Sequence, residues 1–456
     1  MFGINKDLNI HFIGIGGIGM SGIAHVLIKL GYKISGSDIS ESQTVKDLEA
    51  AGAKIFLGHN ESNIKDVQLI VYSSAIDNTN PEVKKAVDLK IPIVKRAEML
   101  AELMRLKYGI AVAGSHGKTT TTSMLSTIFK QNELNPTCIV GGVVKNLAGQ
   151  SISGNSKFLI AEADESDGSF LFLNPIMSII TNIDNDHLDF YKSEENIFKA
   201  FVEFSNKVPF YGCVAINTED KNSERLLTEI KRPYITYGFD NKADYSASDI
   251  ELMDGGCRFL LKHEDFSREV NLKMLGDYNI LNALAAVSIS HQAGISLENC
   301  CSGVEAFEGV GRRFEYLMEE SHFCVIDDYA HHPTEIHHIL STFNKKYHDR
   351  KKVCFFQPHR FSRTKEHWSE FVEVLSQVDE VNILPIYAAS EIPVEYIDSE
   401  ILVKNINEKS KNANYVDGFE SAKNIIMGLR KEGPCAILTL GAGSISKEMR
   451  SIVASL

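Results

Sequence analysis

The sequence predicts an α/β protein of more than one domain, and three observations carry that expectation. Apolar runs of strand length alternate with segments of helical spacing along the whole chain. Two of those strands run into glycine-rich loops that open helices, at 14–19 and 114–117. At 456 residues the chain is also too long for one ordinary core, so two or three domains are expected.

Composition narrows the class. Hydrophobic content of 44% and charged content of 23% are those of a soluble globular protein. The net charge of −13 argues against broad binding to nucleic acid or to an anionic membrane, so any phosphate site has to be a local positive pocket. Eight cysteines, at 138, 213, 257, 300, 301, 324, 354 and 435, are scattered without a C-x-x-C pair. Buried thiols in a reducing cytosol are expected, not disulfides or a zinc site. The N-terminus, MFGINKDLNIHFIGIGGIG, lacks a charged leader region and a cleavage site, and Gly and His interrupt its apolar stretch. The expectation is a cytoplasmic protein with no membrane span.

Residues 10–15 read as a strand entering Gly14-Ile-Gly16-Gly17-Ile-Gly19, which satisfies G-x-G-x-x-G. A helix follows with Ile23, Val26, Leu27 and Leu30 on one face, and Gly31 ends it. A second strand at 32–36 leads to Asp38, where dinucleotide folds place a ribose-binding acid. Further strands are expected at 53–57, 69–73 and 91–94. The glycines let a diphosphate approach the helix N-terminus, which leaves NAD, FAD and a nucleotide-sugar all open. Ser73 and Ser74 would line the same crevice. Arg96 either adds a positive charge there or stands solvated at a helix start.

The stretch 108–132, YGIAVAGSHGKTTTTSMLSTIFKQN, holds a strand at 110–113 and a loop of Gly114, Ser115, His116 and Gly117. Lys118, Thr119 and Thr120 then open a helix carrying Met124, Leu125, Ile128 and Phe129. Loop N–H groups would face nucleotide phosphates, Lys118 would neutralise charge, and the Thr119 hydroxyl could hold Mg²⁺. The stretch departs from G-x-x-x-x-G-K-[ST], because Val112 stands where the first glycine should be. A strand at 158–161 ends in Glu162, Asp164, Glu165 and Asp167, oxygen ligands of the kind a hard cation takes. A strand at 177–183 ends in Asn182, Asp184, Asp186, His187 and Asp189; His187 reads as a second metal ligand or as part of a capped turn. From 214 to about 274, short strands with turn signals read as a β-rich patch on the α/β core. In GDYNILNALAAVSISH, Asn279 and Asn282 stand one turn apart, placed to meet a purine edge or sugar, or to cap the helix.

In the last third, GVGRRFEYL offers Arg312 and Arg313, one to stabilise phosphoryl charge and the other solvated. The strand HFCVIDD ends at Asp327 and Asp328, and YAHHPTEIHHIL follows it. H-E-x-x-H is absent, so a zinc reading fails; His337 and His338 read as helix surface, while His331 and His332 sit at a strand-to-helix turn. KKVCFFQ leads to His359, Arg360 and Arg363, whose guanidiniums suit a carboxylate. VNILPIY and CAILTLGAGS complete a third α/β unit.

Taken together, GIGGIGMSGIA, AGSHGKTTTT, EADESD, TNIDNDHLD, GDYNILNALAA, GRRFE, DDYAHHPTE and PHRFSRT resemble the Mur ligases, in order and over nearly the whole chain. The short phosphate loop is that family's own form, and DDYAHHPTE with PHRFSRT resembles its L-alanine-adding branch. The resemblance implies a Rossmann-like UDP-sugar domain over 1–106, a central P-loop ATPase-type α/β domain with the β-rich patch over 107–311, and a Rossmann-like amino-acid domain over 312–456. It implies ATP- and Mg²⁺-dependent ligation of L-alanine to the lactyl carboxylate of UDP-N-acetylmuramate through an acyl phosphate, in cytoplasmic peptidoglycan precursor synthesis. A monomer or homodimer without nucleic-acid or membrane partners would do this.

By the same resemblance, Gly14, Gly16, Gly17, Gly19, Asp38, Ser73, Ser74 and Arg96 bind the UDP-sugar. Gly114 to Thr120 hold ATP, with Lys118 as phosphate lysine, and Thr119 and Glu162 as Mg²⁺ ligands; His187 matches the ligand of a second Mg²⁺. Asn279, Asn282 and Asp328 match nucleotide contacts, Arg313 the phosphate arginine, and His331 or His332 with His359, Arg360 and Arg363 the alanine pocket. His187 or His359 is the expected base for the alanine ammonium. Later-acting relatives use a carbamylated lysine; Lys199 and Lys207 are nearby, and neither is assigned. An acyl phosphate hydrolyses in open water, so the C-terminal domain is expected to close over it. Three rival readings stand beside this one. An NAD-dependent oxidoreductase leaves AGSHGKTT unexplained, a non-catalytic nucleotide-binding module leaves the acids at two strand tips idle, and a sister ligase would attach a recycled peptide to the same nucleotide-sugar.

Overall fold

Five short strands near the start of the chain are joined by helices, and the order in which they pair sets the first crevice. The computed structural model describes residues 7–73, 76–144, 149–152 and 154–456, so Ser74 lies outside the described residues. Among these, the strands Lys54–Leu57, Lys33–Asp38, Asn9–Ile13, Leu69–Tyr72 and Ile93–Lys95 lie side by side in that order, all parallel. The chain leaves Asn9–Ile13 in one direction and returns to its other side through Leu69–Tyr72, which opens a switch-point crevice at the carboxyl ends of those two strands. The Gly14 loop fills the mouth of that crevice, and the helix Ile18–Lys29 starts directly after it.

A buried acid braces this crevice from behind. Glu82 is fully buried and accepts hydrogen bonds from Ser37 Oγ (2.5 Å), Asn63 Nδ2 (2.6 Å) and His59 Nδ1 (3.1 Å), with His11 Nε2 at 3.6 Å. Burial alone would raise its pKa; the donors, His11 first, more than offset it and hold the carboxyl at about 2 against an ordinary 4.5. A depressed acid contributes stability in full above its unfolded pKa and loses it as pH falls through the folded value. Glu82→Gln is therefore expected to cost about 3 kcal/mol at neutral pH, the equivalent of the shift at about 1.4 kcal/mol per unit. It should also flatten the decline in stability between pH 4.5 and 2. Urea unfolding followed across that range checks both.

The central sheet runs, from one edge to the other, through Phe266–Leu272, Gly256–His263, Tyr245–Met253, Tyr234–Gly238, Cys213–Asn217, Met177–Ile180, Tyr108–Ala113, Phe158–Glu162, Thr137–Val144 and Gly149–Ile152. The segment expected as a β-rich patch on the α/β core joins that core as a continuation of its sheet. Tyr245–Met253 is buried at its start and exposed over its second half, as a strand does when it leaves a covered core for an edge. The phosphate-loop strand, Tyr108–Ala113, is flanked by parallel Met177–Ile180 and Phe158–Glu162, so three strand tips converge where the loop begins.

The helix Lys118–Gln131 is buried from Thr120 to Phe129. Three of its buried hydroxyls bond back one turn: Ser123 Oγ to Thr119 O (2.6 Å), Ser126 Oγ to Thr122 O (2.7 Å), Thr127 Oγ1 to Ser123 O (2.9 Å). The helix Arg96–Arg105 ties the first two sheets together. Its Met99, Leu100, Leu103 and Met104 belong to one apolar cluster with Ile10 and Phe12 of the first sheet and Ala111, Leu159 and Ile180 of the second.

The chain divides into two compact units: one runs up to Met253 and takes in Cys257–Lys273 and Asp277–Gly309, and the other is chiefly Val310–Leu456. The second is built on Glu315–Glu319, Phe323–Asp328, Cys435–Leu440, Lys351–Phe356, Glu380–Ile383 and Ala413–Tyr415, adjacent in that order. Only the first of these pairings is antiparallel. Pro333 opens the helix Pro333–Lys346, and His337 and His338 lie on its exposed face as expected. All eight cysteines are buried free thiols. Among the described residues no helix is long and apolar enough to cross a membrane.

Candidate active site

The loop after Tyr108–Ala113 has a shape that only glycine permits at two points. Gly114 sits at φ +135°, and a Cβ there would come within 1.9 Å of Thr181 Oγ1 and 3.0 Å of the Asn182 backbone nitrogen. Gly117 sits at φ +82°, with a Cβ 2.6 Å from Asn282 Oδ1. The neighbouring strand tip grips what lies between. Asn182 Oδ1 accepts from His116 N–H (2.8 Å), while Asn182 Nδ2 (3.1 Å) and Thr181 Oγ1 (2.6 Å) donate to His116 O. Ser115 N–H donates to Asn182 O (3.2 Å), and Ser115 Oγ accepts from Asp184 N–H (2.9 Å). The strand expected over 177–183 ends at Ile180: after a last bond from Thr181 N–H to Ala113 O (3.0 Å), the Thr181 hydroxyl and Asn182 turn to the loop. Asn182 was legible as a polar strand tip, whereas Thr181 had no signal beyond its position. Asn282 and Asn279 are buried, with Thr121 Oγ1 donating to Asn282 Oδ1 (3.0 Å) and Asn282 Nδ2 to Asn279 Oδ1 (3.2 Å), so this pair supports the loop at Gly117.

Lys118 Nζ donates to Gly114 O (2.6 Å), Ser115 O (3.2 Å) and Glu165 Oε1 (2.8 Å). Burial would lower its pKa, but Glu165, Asp164 and Glu162 raise it, so it is a cation at neutral pH. Glu165 is 1% exposed, and burial drives its carboxyl up to about 7 against the pull of Lys118. His187 takes a left-handed backbone, φ 60°, at the start of the short helix Leu188–Tyr191; its Nε2 stands 3.8 Å from Glu165 Oε1 and 3.5 Å from Asp186 Oδ2. Glu162 ends its strand half-buried, and Thr119 lies half-buried in the first turn of the loop's helix. Carboxylates, a hydroxyl and an imidazole collected beside a phosphate loop suit a hard divalent cation, so the donor chemistry fits Mg²⁺.

At the first crevice, Gly14 (φ +77°) and Ile15 donate their N–H groups to Ser37 O at 2.9 and 3.0 Å. Asp38 Oδ2 accepts from Gly16 N–H (2.9 Å), and its Oδ1 takes Ser40 N–H and Oγ. The acid expected to meet a ribose thus also braces the glycine loop. Gly17 N–H closes the turn on Gly14 O (3.2 Å), and Ser73 N–H donates to Ile13 O (3.3 Å). Arg96 lies against Gly19, where a Cβ would come 2.9 Å from its Nη1, and its Nη2 reaches Asp164 Oδ2 at 3.4 Å. A cavity of about 380 Å³ opens there, lined by Tyr72, Asp77, Lys95, Arg96, Asp167 and Ser169 among others. Its wall therefore includes both the first crevice and the acid turn that holds Lys118.

In the second unit both arginines of the pair are half-buried, and each has contacts of its own. Arg312 Nη2 donates to Gly441 O (2.6 Å), its Nε lies 3.6 Å from Asp327, and its guanidinium covers the Tyr329 ring. Arg313 lies 3.7 Å from Glu335 and over the same ring. Asp328 accepts from Phe314 N–H (2.7 Å) and Ala330 N–H (2.8 Å), and burial pushes its carboxyl up to about 6. Of the two candidate histidines, His332 is buried and caps its helix by accepting from Thr334 N–H (3.3 Å). His331 instead lies 6.0 Å, ring to ring, from His359. His359 accepts from Arg363 Nη1 (3.3 Å) and stacks on Tyr387. Burial first, then His331 and Arg363, lower its pKa to about 4, so it is neutral at pH 7. Arg360 is exposed beside this group, at φ 71°.

Comparison with known proteins agrees along the length of the chain. Residues 9–108 match the Mur ligase family, catalytic domain, residues 112–290 the Mur ligase middle domain, and residues 312–443 the Mur ligase, glutamate ligase domain. A UDP-N-acetylmuramate–L-alanine ligase from a Sulfurihydrogenibium species is 46% identical over 442 residues, covering 97% of this chain and 96% of that one. The crystal structure of UDP-N-acetylmuramate-alanine ligase MurC from Thermotoga maritima superposes with a TM-score of 0.81 at 29% identity, covering 98% of this chain and 99% of the other. A murein peptide ligase from Psychrobacter arcticus has a TM-score of 0.71 over 98% of each chain but 23% identity, a likeness of fold alone.

Proposed function

The chain belongs to the Mur ligase family, and from that premise we infer that it joins L-alanine to the lactyl carboxylate of UDP-N-acetylmuramate in peptidoglycan synthesis. Mur ligases are ATP-dependent. A carboxylate does not acylate an amine, because oxide is its leaving group, so the substrate carboxylate first attacks the γ-phosphate of ATP. The acyl phosphate formed is then attacked by the alanine amine, and phosphate leaves from the tetrahedral intermediate.

In this reading the Gly114–Gly117 loop and Lys118 hold the triphosphate, with positioning and charge supplying most of the rate. Thr119, Glu162 and His187 would hold Mg²⁺, whose charge offsets that of the phosphates. The glycine loop at 14–19, with Asp38 and Arg96, binds the uridine-sugar end. Arg313 stabilises phosphoryl charge, and His331, His359, Arg360 and Arg363 receive alanine, the guanidiniums taking its carboxylate. His359 is neutral at pH 7, but a pKa lowered to about 4 makes it a weak base for the ammonium proton. The reaction would run in the cytoplasm, where its nucleotide substrates are made.

One observation carries the reading. The Arg96–Asp164 pair joins the first crevice to the turn whose next residue, Glu165, holds the phosphate lysine, so a sugar carboxylate and a γ-phosphate have a common wall. The test is incubation with UDP-N-acetylmuramate, ATP, Mg²⁺ and each amino acid in turn, read by product mass. L-Alanine is expected to give the condensed product with stoichiometric phosphate. Refusal of alanine with uptake of a murein peptide would move the chain to the sister activity.

A further inference from the structure

An ammonium has three donors, and Lys118 has committed all three: two to carbonyls of its own loop and the third to Glu165. The carbonyls cannot yield easily, because Thr181, Asn182 and the two strained glycines fix that backbone. Glu165 is the exchangeable partner. Its backbone is fixed as well, with Tyr191 Oη (2.6 Å) and Gly168 N–H (2.9 Å) both donating to its carbonyl oxygen. The side chain is therefore anchored within reach of the lysine when another anion arrives. It is 1% exposed, and among the described residues its Oε2 has no hydrogen-bond partner.

We propose that Glu165 is a positioning residue that occupies the place of the terminal nucleotide phosphate, holding Lys118 in the empty loop and competing for it when ATP arrives. This rests on the ATP reading of the loop. Two anions sharing one desolvated cation repel each other, and water screens them little at a nearly inaccessible position. The carboxylate keeps the lysine ordered between turnovers and limits how tightly nucleotide binds, a limit that favours product release. The sequence hid this role, because Glu165 reads there as one of four clustered acids and its partner lies 47 residues away.

The test is calorimetric titration of ATP and ADP in EDTA, so that no metal ligand role intrudes, on the intact chain, Lys118→Ala, Glu165→Gln and Glu165→Ala. Binding of UDP-N-acetylmuramate to each variant reports folding. Both Glu165 variants are expected to bind ATP more tightly, by about tenfold or 1.4 kcal/mol, with a smaller gain for ADP and a lower KM for ATP at reduced kcat. Unchanged or weaker metal-free binding in Glu165→Gln, or a loss of affinity seen only when Mg²⁺ is added, overturns the proposal, the second by making Glu165 a metal ligand. If Lys118→Ala binds ATP as well as the intact chain does, the ATP reading of the loop falls and the proposal falls with it.

Discussion

Lys118→Ala is expected to abolish substrate-dependent phosphate release, by about 10²–10³-fold or more, while leaving UDP-N-acetylmuramate affinity within a factor of a few. The lysine is the loop's own cation, held charged by Glu165, Asp164 and Glu162 despite its burial, and no other side chain in the loop carries a fixed positive charge. The uridine-sugar side has its own supports, with Ser37 O and Asp38 fixing the first glycine loop and Arg96 beside it. The substitution also strands Glu165, whose buried carboxylate loses its counter-ion, so a fall in thermal midpoint should accompany the loss of activity. Adding Glu165→Gln should restore the midpoint without restoring turnover, which separates catalysis from folding. Phosphate release and uridine-sugar binding are read side by side. Loss of both together means that the two nucleotide crevices have been assigned to the wrong residues.

What the sequence made legible was local. A glycine, a lysine and a run of threonines at the end of an apolar strand identify a phosphate loop because each residue type is demanded by its own backbone position or charge. Acids at the tips of two apolar runs were readable for the same reason, since ligands collect at carboxyl ends of parallel strands. Contacts between distant segments were not. Nothing in the spacing says that Thr181 and Asn182 will clamp His116, or that Glu82 will stand behind Ser37, because those meetings depend on strand order. Strand order also decided that the β-rich segment beyond Cys213 attaches to the core by extending its central sheet. His331 and His332 were equivalent by sequence. Only the turn geometry, which commits His332 to capping a helix, leaves His331 to face His359.

The clamp leads to the other large expected effect, Gly114→Ala, in which a single methyl group should cost more than a hundredfold in ATP affinity. A left-handed backbone costs an alanine about 1–2 kcal/mol before any contact is counted. Here the new Cβ would also fall 1.9 Å from Thr181 Oγ1 and 3.0 Å from the Asn182 nitrogen. The first atom belongs to a side chain that can turn, but turning it releases the hydrogen bond to His116 O; the second is backbone and cannot withdraw. Gly114 must therefore move, and with it the carbonyl that holds Lys118. Gly114→Ala with Thr181→Ala should consequently recover little. At Gly117 the clash is with the end of the Asn282 side chain, which can shift at the expense of its bond from Thr121, so Gly117→Ala should be the milder of the two. Calorimetric ATP binding and thermal midpoints order the three variants. A Gly114→Ala protein that binds ATP like the unmodified chain would show that the loop's shape is not what holds the triphosphate.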